Sequence, residues 1–363
     1  MTYDFNHNVA LKDVIVDDIQ LLSEENVKKY VLPFYNLENA NITQIKFKDT
    51  DKQRAVYKVD YEDKSYCLKK VYFDESELLF VYSAIEWLHK SNINVPQILP
   101  TSDRGRFICY KNMLFILTPW IEGIKCNYEN VDHIMDSARN LAKVHKCSEK
   151  FVPISGSTIR QGFGDWYSSI SKHFSQMLLC SNNAFKYGDR FSKLFIDKFD
   201  PNVELAQSAI DIASKINTDN LSKSLCHMDY VNKNIIFDYK NNIWVIDFDK
   251  CKMEYCIHDI SYFLRRILKR EDTKWNIDLT INSLKCYEEI RPLNIDEYMT
   301  LYVYLVFPHK YWKISRDYYN NINKCNKNSF VTLLNRSVDN IDYQLKFAEE
   351  FKEFIKEKFK RTK

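Results

Sequence analysis

The sequence predicts an α+β fold of two lobes: a small lobe with a five-stranded antiparallel sheet plus a helix, and a large, mainly helical lobe. Three observations predict it. Alternating or β-branched and aromatic runs crowd the first 118 residues, as strands require. Helical periodicity dominates the chain beyond Pro119. A chain of 363 residues is also too long for one small core.

In order, residues 11–35 read as helix, stopping near Pro33. Residues 43–48, 55–61 and 65–71 read as strands. Asp74 caps a helical pattern with apolar residues at 78, 81, 85 and 88. Two further strands, 106–110 and 113–118, are joined by a short polar turn. Beyond them 131–145, 165–181 and 201–216 are helical, 224–249 is a hairpin-like strand block, and the remainder is mostly helix. The domain reading is 1–117 for the first lobe, 118–123 (TPWIEG) for a hinge, and 124–363 for the second lobe. No repeat or low-complexity tract interrupts this order.

Composition narrows the function. The net charge of +3 comes from 52 basic and 49 acidic residues spread along the chain, which suits neither a nucleic-acid platform nor a membrane anchor. The basic stretch 351–363 reads as a solvated helix end. The amino terminus carries early acidic residues and no apolar h-region, so no signal peptide is expected. The apolar runs 78–88 and 301–307 are too short to span a bilayer. Ten cysteines are scattered without a Cys-x-x-Cys, and six of them (67, 109, 126, 147, 180 and 226) read as core thiols. A reduced, cytoplasmic site of synthesis is expected, without disulfides or zinc.

The informative block is LCHMDYVNKNIIFDYKNNIWVIDFD. It holds His227-x-Asp229-x-x-x-x-Asn234, and 13 residues after Asn234 comes Asp247, at the end of the apolar run 243–246. Phosphoryl transfer needs a carboxylate to receive the attacking hydroxyl's proton, and hard oxygen ligands to hold Mg²⁺ against nucleotide phosphates. Asp229 meets the first need, and Asn234 with Asp247 the second. The competing reading is a polar turn between two strands, capped by Asp229 and Asn234. Strand before, strand between and Asp247 at the second strand's end favour the chemical one. His227 reads as an anchor for the loop.

This block resembles the catalytic and metal-binding segments of the aminoglycoside phosphotransferase superfamily, whose fold is bilobal and protein-kinase-like. Tyr66-Cys67-Leu68-Lys69 is similar to the strand carrying the ATP lysine, and residues 115–123 to the hinge. Leu141-Ala142-Lys143-Val144-His145 is similar to the family's Leu-Ala-x-x-His helix, and His258-Asp259-Ile260 to the helix start after the metal Asp. Glu77-Leu-Leu-Phe80 with Ile85, and Phe307-Pro308-His-Lys-Tyr-Trp312 with Tyr318-Tyr319, narrow the resemblance to CotS-type spore-coat proteins. It spans about residues 25–350.

The resemblance implies Mg²⁺ and ATP or another nucleotide as cofactors, a hydroxyl-bearing acceptor, and other spore-coat proteins as partners. It implies Asp229 as catalytic residue, Asn234 and Asp247 as metal ligands, and Lys69 on the phosphates with Lys70 its competitor. Thr118 and Trp120 would offer backbone to the adenine. Glu77 would pair with Lys69, with Glu75 and Glu86 as alternatives. It places the protein in the spore coat.

Several features depart from the pattern. Residues 1–104 contain no glycine, so the phosphate-covering loop, 48–55, lacks residues that let backbone N–H groups approach closely. Met228 stands where a protein kinase has Arg, and about ten residues separate Asp247 from His258, too few for an activation loop. The terminal Lys-Arg-Thr-Lys argues against a polycationic antibiotic substrate. The alternatives to a coat kinase are a non-catalytic structural coat component and a choline- or homoserine-kinase-like small-molecule kinase.

Overall fold

Period-two burial runs through the second strand, β2 (Arg54–Tyr61), where Ala55, Tyr57 and Val59 are fully buried and the residues between them only partly. The computed structural model describes residues 18–48 and 54–360. They fall into two compact units: residues up to Glu75 with Pro96–Trp120, and Ser76–Val95 with Ile121 onward.

In the first unit β1 (Asn41–Lys48), β2, β3 (Lys64–Lys70), β4 (Ile108–Tyr110) and β5 (Met113–Pro119) form the expected antiparallel sheet, in the order β1-β2-β3-β5-β4. Its core face carries Tyr57, Leu68, Phe115 and Leu117 against Val27, Val31 and Leu32. The helix expected over 11–35 is broken into α1 (Asp18–Leu21), α2 (Glu24–Tyr30) and a 3-10 turn, Leu32–Tyr35; residues 11–17 lie outside the described residues. Ser23 causes the first break by capping α2, its hydroxyl accepting from the Asn26 N–H at 3.3 Å. Pro33 tightens the last turn, and Asn36, at φ 56°, ends it. Of the glycine-free loop only the ends are described, where Lys48 pairs with Arg54; residues 49–53 lie outside.

Helix α3 (Glu75–Lys90) lies between β3 and β4 in the chain, yet all but its first residue belong to the second unit. Aromatic packing explains this. Phe80 and Trp87 meet Phe151 edge-on at 5.5 and 5.7 Å, and the Trp87 indole N–H donates to the Cys147 carbonyl at 2.8 Å.

The rest of the second unit is mainly helical, with two small sheets. β6 (Ile124–Lys125), β8 (Ile235–Phe237) and β9 (Ile243–Val245) form one, and β7 (Lys223–Cys226) with β10 (Lys252–Tyr255) the other. Around them run α4 (Val131–Cys147), α5 (Trp166–Tyr187), α6 (Arg190–Asp197), α7 (Phe199–Ala213), α8 (Cys256–Leu268), α9 (Ile277–Glu288), α10 (Ile295–Val306), α11 (His309–Asn320), α12 (Lys327–Val338) and α13 (Ile341–Lys360). Local signals start and stop them. Asn130 caps α4, Asn294 and Glu297 form a reciprocal capping box on α10, and Gly188 ends α5 at φ 58°. Helix α6 has no counterpart in the sequence reading, because only two residues separate it from α5; Asp189 caps it.

Among the described residues no helix is long and apolar enough to cross a membrane. Of the six cysteines expected in the core, Cys126, Cys180 and Cys226 are buried, Cys67 and Cys147 half-buried, and Cys109 exposed. The outliers Cys67 and Cys109 are on strands, where each second residue points away from the packed face.

Candidate active site

The loop from His227 to Asn234 leaves the end of β7 and is fixed from beneath by one buried carboxylate. Asp259, in the first turn of α8, accepts from the main-chain N–H of His227 at 2.6 Å and of Met228 at 2.8 Å. His145 of α4 faces the same carboxylate through Nε2 at 3.4 Å, while its Nδ1 meets the Tyr287 hydroxyl at 2.7 Å. Burial pushes the Asp259 carboxyl up; hydrogen bonds and charge from His145 and His227 outweigh that and hold it below the usual range. With both N–H groups tied down, Met228 takes φ 64°, a cost that a bulky side chain accepts only where its surroundings enforce it.

His227 acts as a strut. Its Nδ1 accepts from the Asp229 N–H at 3.2 Å, so the proton is on Nε2, which donates to the Ile246 carbonyl at 3.0 Å. That ties the loop to the residue before Asp247. Asn234 adds a second tie: its Nδ2 donates to the Asp229 carbonyl at 2.9 Å, and its own carbonyl accepts from the Ile246 N–H at 3.0 Å. Asp247 comes next in the left-handed region, φ 68° and ψ 64°, and opens the tight turn Phe248–Lys250. Asp229, Asn234 and Asp247 thus sit on one hydrogen-bonded hairpin.

Two cations missed in the sequence reading flank Asp229. Lys250 Nζ lies 3.3 Å and Lys233 Nζ 3.5 Å from its Oδ2. Their sequence signal was available: Lys233 lies between Asp229 and Asn234 of the motif and Lys250 three residues past Asp247. Arg160 is a third omission. It lies 3.9 Å from Glu77 Oε1 and donates to the Asp249 carbonyl at 2.7 Å, joining the first turn of α3 to the turn after Asp247. No local motif marks Arg160; only the tertiary fold brings it there.

The remaining candidates lie in the first unit. Lys69 stands opposite Val56 and Ile116, whereas its neighbour Leu68 stands opposite Tyr57 and Leu117 in the core. Lys69 therefore projects from the sheet face away from that core. Lys70, opposite Ala55 and Phe115, starts from the core face and is buried. Thr118 pairs with Cys67 at the end of β5, and the Trp120 N–H donates to the Ser65 carbonyl at 3.0 Å.

Asn234 and Asp247 suit a hard divalent cation. With Nδ2 committed to Asp229, the Asn234 side chain has its oxygen to offer, and Asp247 adds a carboxylate two residues past the end of β9.

The family model described as "Spore coat putative kinase YutH" matches residues 40–351. Spore coat protein S of Bacillus subtilis is 18% identical over 303 residues, covering 82% of this chain and 85% of the relative. Among solved structures, an aminoglycoside phosphotransferase from Alicyclobacillus acidocaldarius superposes with a TM-score of 0.76 at 16% identity, covering 91% of this chain and 96% of its own. A spectinomycin phosphotransferase holding ADP and spectinomycin gives 0.61 at 19% identity, covering 90% and 98%. An amicoumacin kinase with AMP-PNP and Ca²⁺ gives 0.60 at 16%, covering 90% and 95%. At these identities the structural likeness speaks for the kinase-like fold.

Proposed function

We propose that this chain, which belongs to the family described as "Spore coat putative kinase YutH", is a Mg-ATP-dependent phosphotransferase that acts on a hydroxyl acceptor at the spore coat. The observation that carries the proposal is the common anchoring of Asp229, Asn234 and Asp247 on one hairpin, held from below by buried Asp259.

In this reading Asp229 orients the acceptor hydroxyl and receives its proton as the oxygen attacks. Lys233 and Lys250 reach to 3.5 and 3.3 Å from its Oδ2 and form the charged surroundings that an incoming acceptor would meet. Asn234 and Asp247 would hold Mg²⁺, which when bound with nucleotide neutralises charge on the transferred phosphoryl group. Lys69, on the face of β3 turned away from the small-lobe core, would contact the nucleotide's α and β phosphates. Glu77 is its candidate partner, and the Thr118–Trp120 backbone would meet the adenine. Two of the structurally similar enzymes hold an adenine nucleotide, which supports that choice of cofactor.

A second reading, a structural coat component without turnover, is favoured by the absence of glycine from residues 1–104. Melting temperature with and without Mg-ATP, and ATP consumption across a panel of hydroxyl acceptors, separate the two. Binding to the native state must raise the melting temperature. The kinase reading expects that rise and acceptor-dependent turnover; neither, with normal assembly into the coat, would leave the scaffold reading.

A further inference from the structure

A cavity of about 70 Å³ opens in the second unit among α8, α11, α12 and the start of α13. Arg265 lines it from the last turn of α8 and Lys269 from the residue that caps that helix, Lys310 from α11 and Arg336 from α12. None of the described residues lining it is acidic. Among the described residues, no carboxylate lies within ion-pair distance of any of these four cations.

Elsewhere in the unit, basic side chains in comparable positions are paired. Arg291 bonds Glu297 at 2.8 Å, Arg139 bonds Glu289 at 2.7 Å, and Lys358 bonds Glu288 at 2.9 Å. Arg265 and Lys269, which are half-buried, are therefore local exceptions, while Lys310 and Arg336 are exposed. The cluster is also an expensive one. The walls include Trp275, Pro308 and Tyr311, all buried, which lower the local dielectric and strengthen repulsion among the cations. Burial first, and then Lys310, Arg266 and Arg265, push the Lys269 ammonium down to about 8, and Lys310 is lowered by the same kind of cause. Three segments, around α8, α11 and α12, converge to build this field, so it is not the solvated face of one helix.

We infer that the cavity is a binding site for a phosphate-class oxyanion, either free or as the phosphoryl group of a small molecule. One arginine fork and two ammonium groups meet the charge, with Arg336 at the rim. The Ser337 hydroxyl and Asn340 amide on the wall add neutral donors. A single water needs roughly 10–15 Å³ of such volume, so the space admits a tetrahedral anion with little left over. The inference is independent of the phosphotransfer reading, because no residue is shared between the two sites.

Calorimetric titration of the full chain tests it, with inorganic phosphate in one arm and glycerol phosphate in the other. Ionic strength is held constant, and Mg²⁺ and nucleotide are left out. Saturable binding of one equivalent is expected, and whichever anion binds tighter identifies the free or esterified form. Lys269→Gln and Lys310→Gln should each weaken it about tenfold or more, as loss of one charge-assisted contact implies. Both side chains reach solvent, and an unchanged melting temperature without phosphate checks that the variants fold. Lys69→Met should leave phosphate binding at its wild-type affinity. Absence of saturable binding in both arms, full binding in both glutamine variants, or loss in Lys69→Met would each overturn the inference.

Discussion

The hairpin around Asp229 and the strand carrying Lys69 present their candidate residues in opposite ways. On the hairpin, Asp229 is tied through His227, Asn234 through Asp229 and Ile246, and the loop through Asp259, while Asp247 follows directly on the tied Ile246. On β3, the alternation of the strand sets the side of the sheet from which Lys69 projects, with Val56 and Ile116 beside it. The hairpin specifies atoms; the strand specifies a face. Substitutions on the hairpin should therefore fail sharply by role, and those on β3 should separate according to side.

The largest expected effect is at Asp247. Asp247→Ala should remove the Mg-ATP-dependent rise in melting temperature and lower turnover roughly 10³-fold or more, since a bound metal contributes several kcal/mol to phosphoryl transfer. Asp229→Asn should keep the Mg-ATP rise, because the metal ligands remain, but cost about 10²–10⁴-fold in turnover, as loss of a general base does. If both variants lost nucleotide binding equally, the division of roles along the hairpin would be wrong.

Asp259→Ala tests the anchor itself. It leaves two buried N–H groups without their acceptor and His145 without its partner, for a loss of about 3–5 kcal/mol in chemical denaturation. The wild-type contribution has a definite pH sign. Because the folded carboxyl is depressed, its stabilisation is complete above the unfolded value of about 3.9 and disappears as pH falls through the folded one. The variant should therefore show a shallower acid limb than wild type. On β3 the corresponding comparison is Lys69→Met against Lys70→Met. The first should weaken Mg-ATP binding about tenfold or more with little change in stability. The second should leave nucleotide binding nearly unchanged, because Lys70 starts from the core side.

The same contrast explains what could be read from the sequence. All five strands of the first sheet, and α3 and α4, arise from period-two or period-3.6 patterns that local residues carry. Asp229, Asn234 and Asp247 were visible because their spacing is short and bracketed by strands. The single helix over 11–35 failed because Ser23 reads equally as an interior residue or a cap until its hydroxyl is seen accepting from Asn26. Arg160 and the cavity around Lys269 were invisible, because their partners come from elements 80 or more residues away or from several helices at once. The side of the sheet that Lys69 occupies was readable from alternation, but Lys70 could be set aside only once Leu68 was placed in the core.

The smallest expected effect concerns the two lysines beside Asp229. Their ammonium groups lie 3.3 and 3.5 Å from Oδ2, yet the side chains are 48% and 51% exposed, so water and salt screen them. Exposed pairs of this kind contribute up to about 1 kcal/mol, so Lys233→Gln or Lys250→Gln should change turnover less than about fivefold. Their joint removal should have a larger effect at low ionic strength than at high, because both act on one carboxylate through the same screened field. The measurement is turnover of the wild type, both single variants and the double variant at two salt concentrations. A loss of about 10²-fold in either single variant would mean that the lysine touches the transferred phosphoryl group directly. The hairpin would then carry a fourth chemical residue beside Asp229, Asn234 and Asp247.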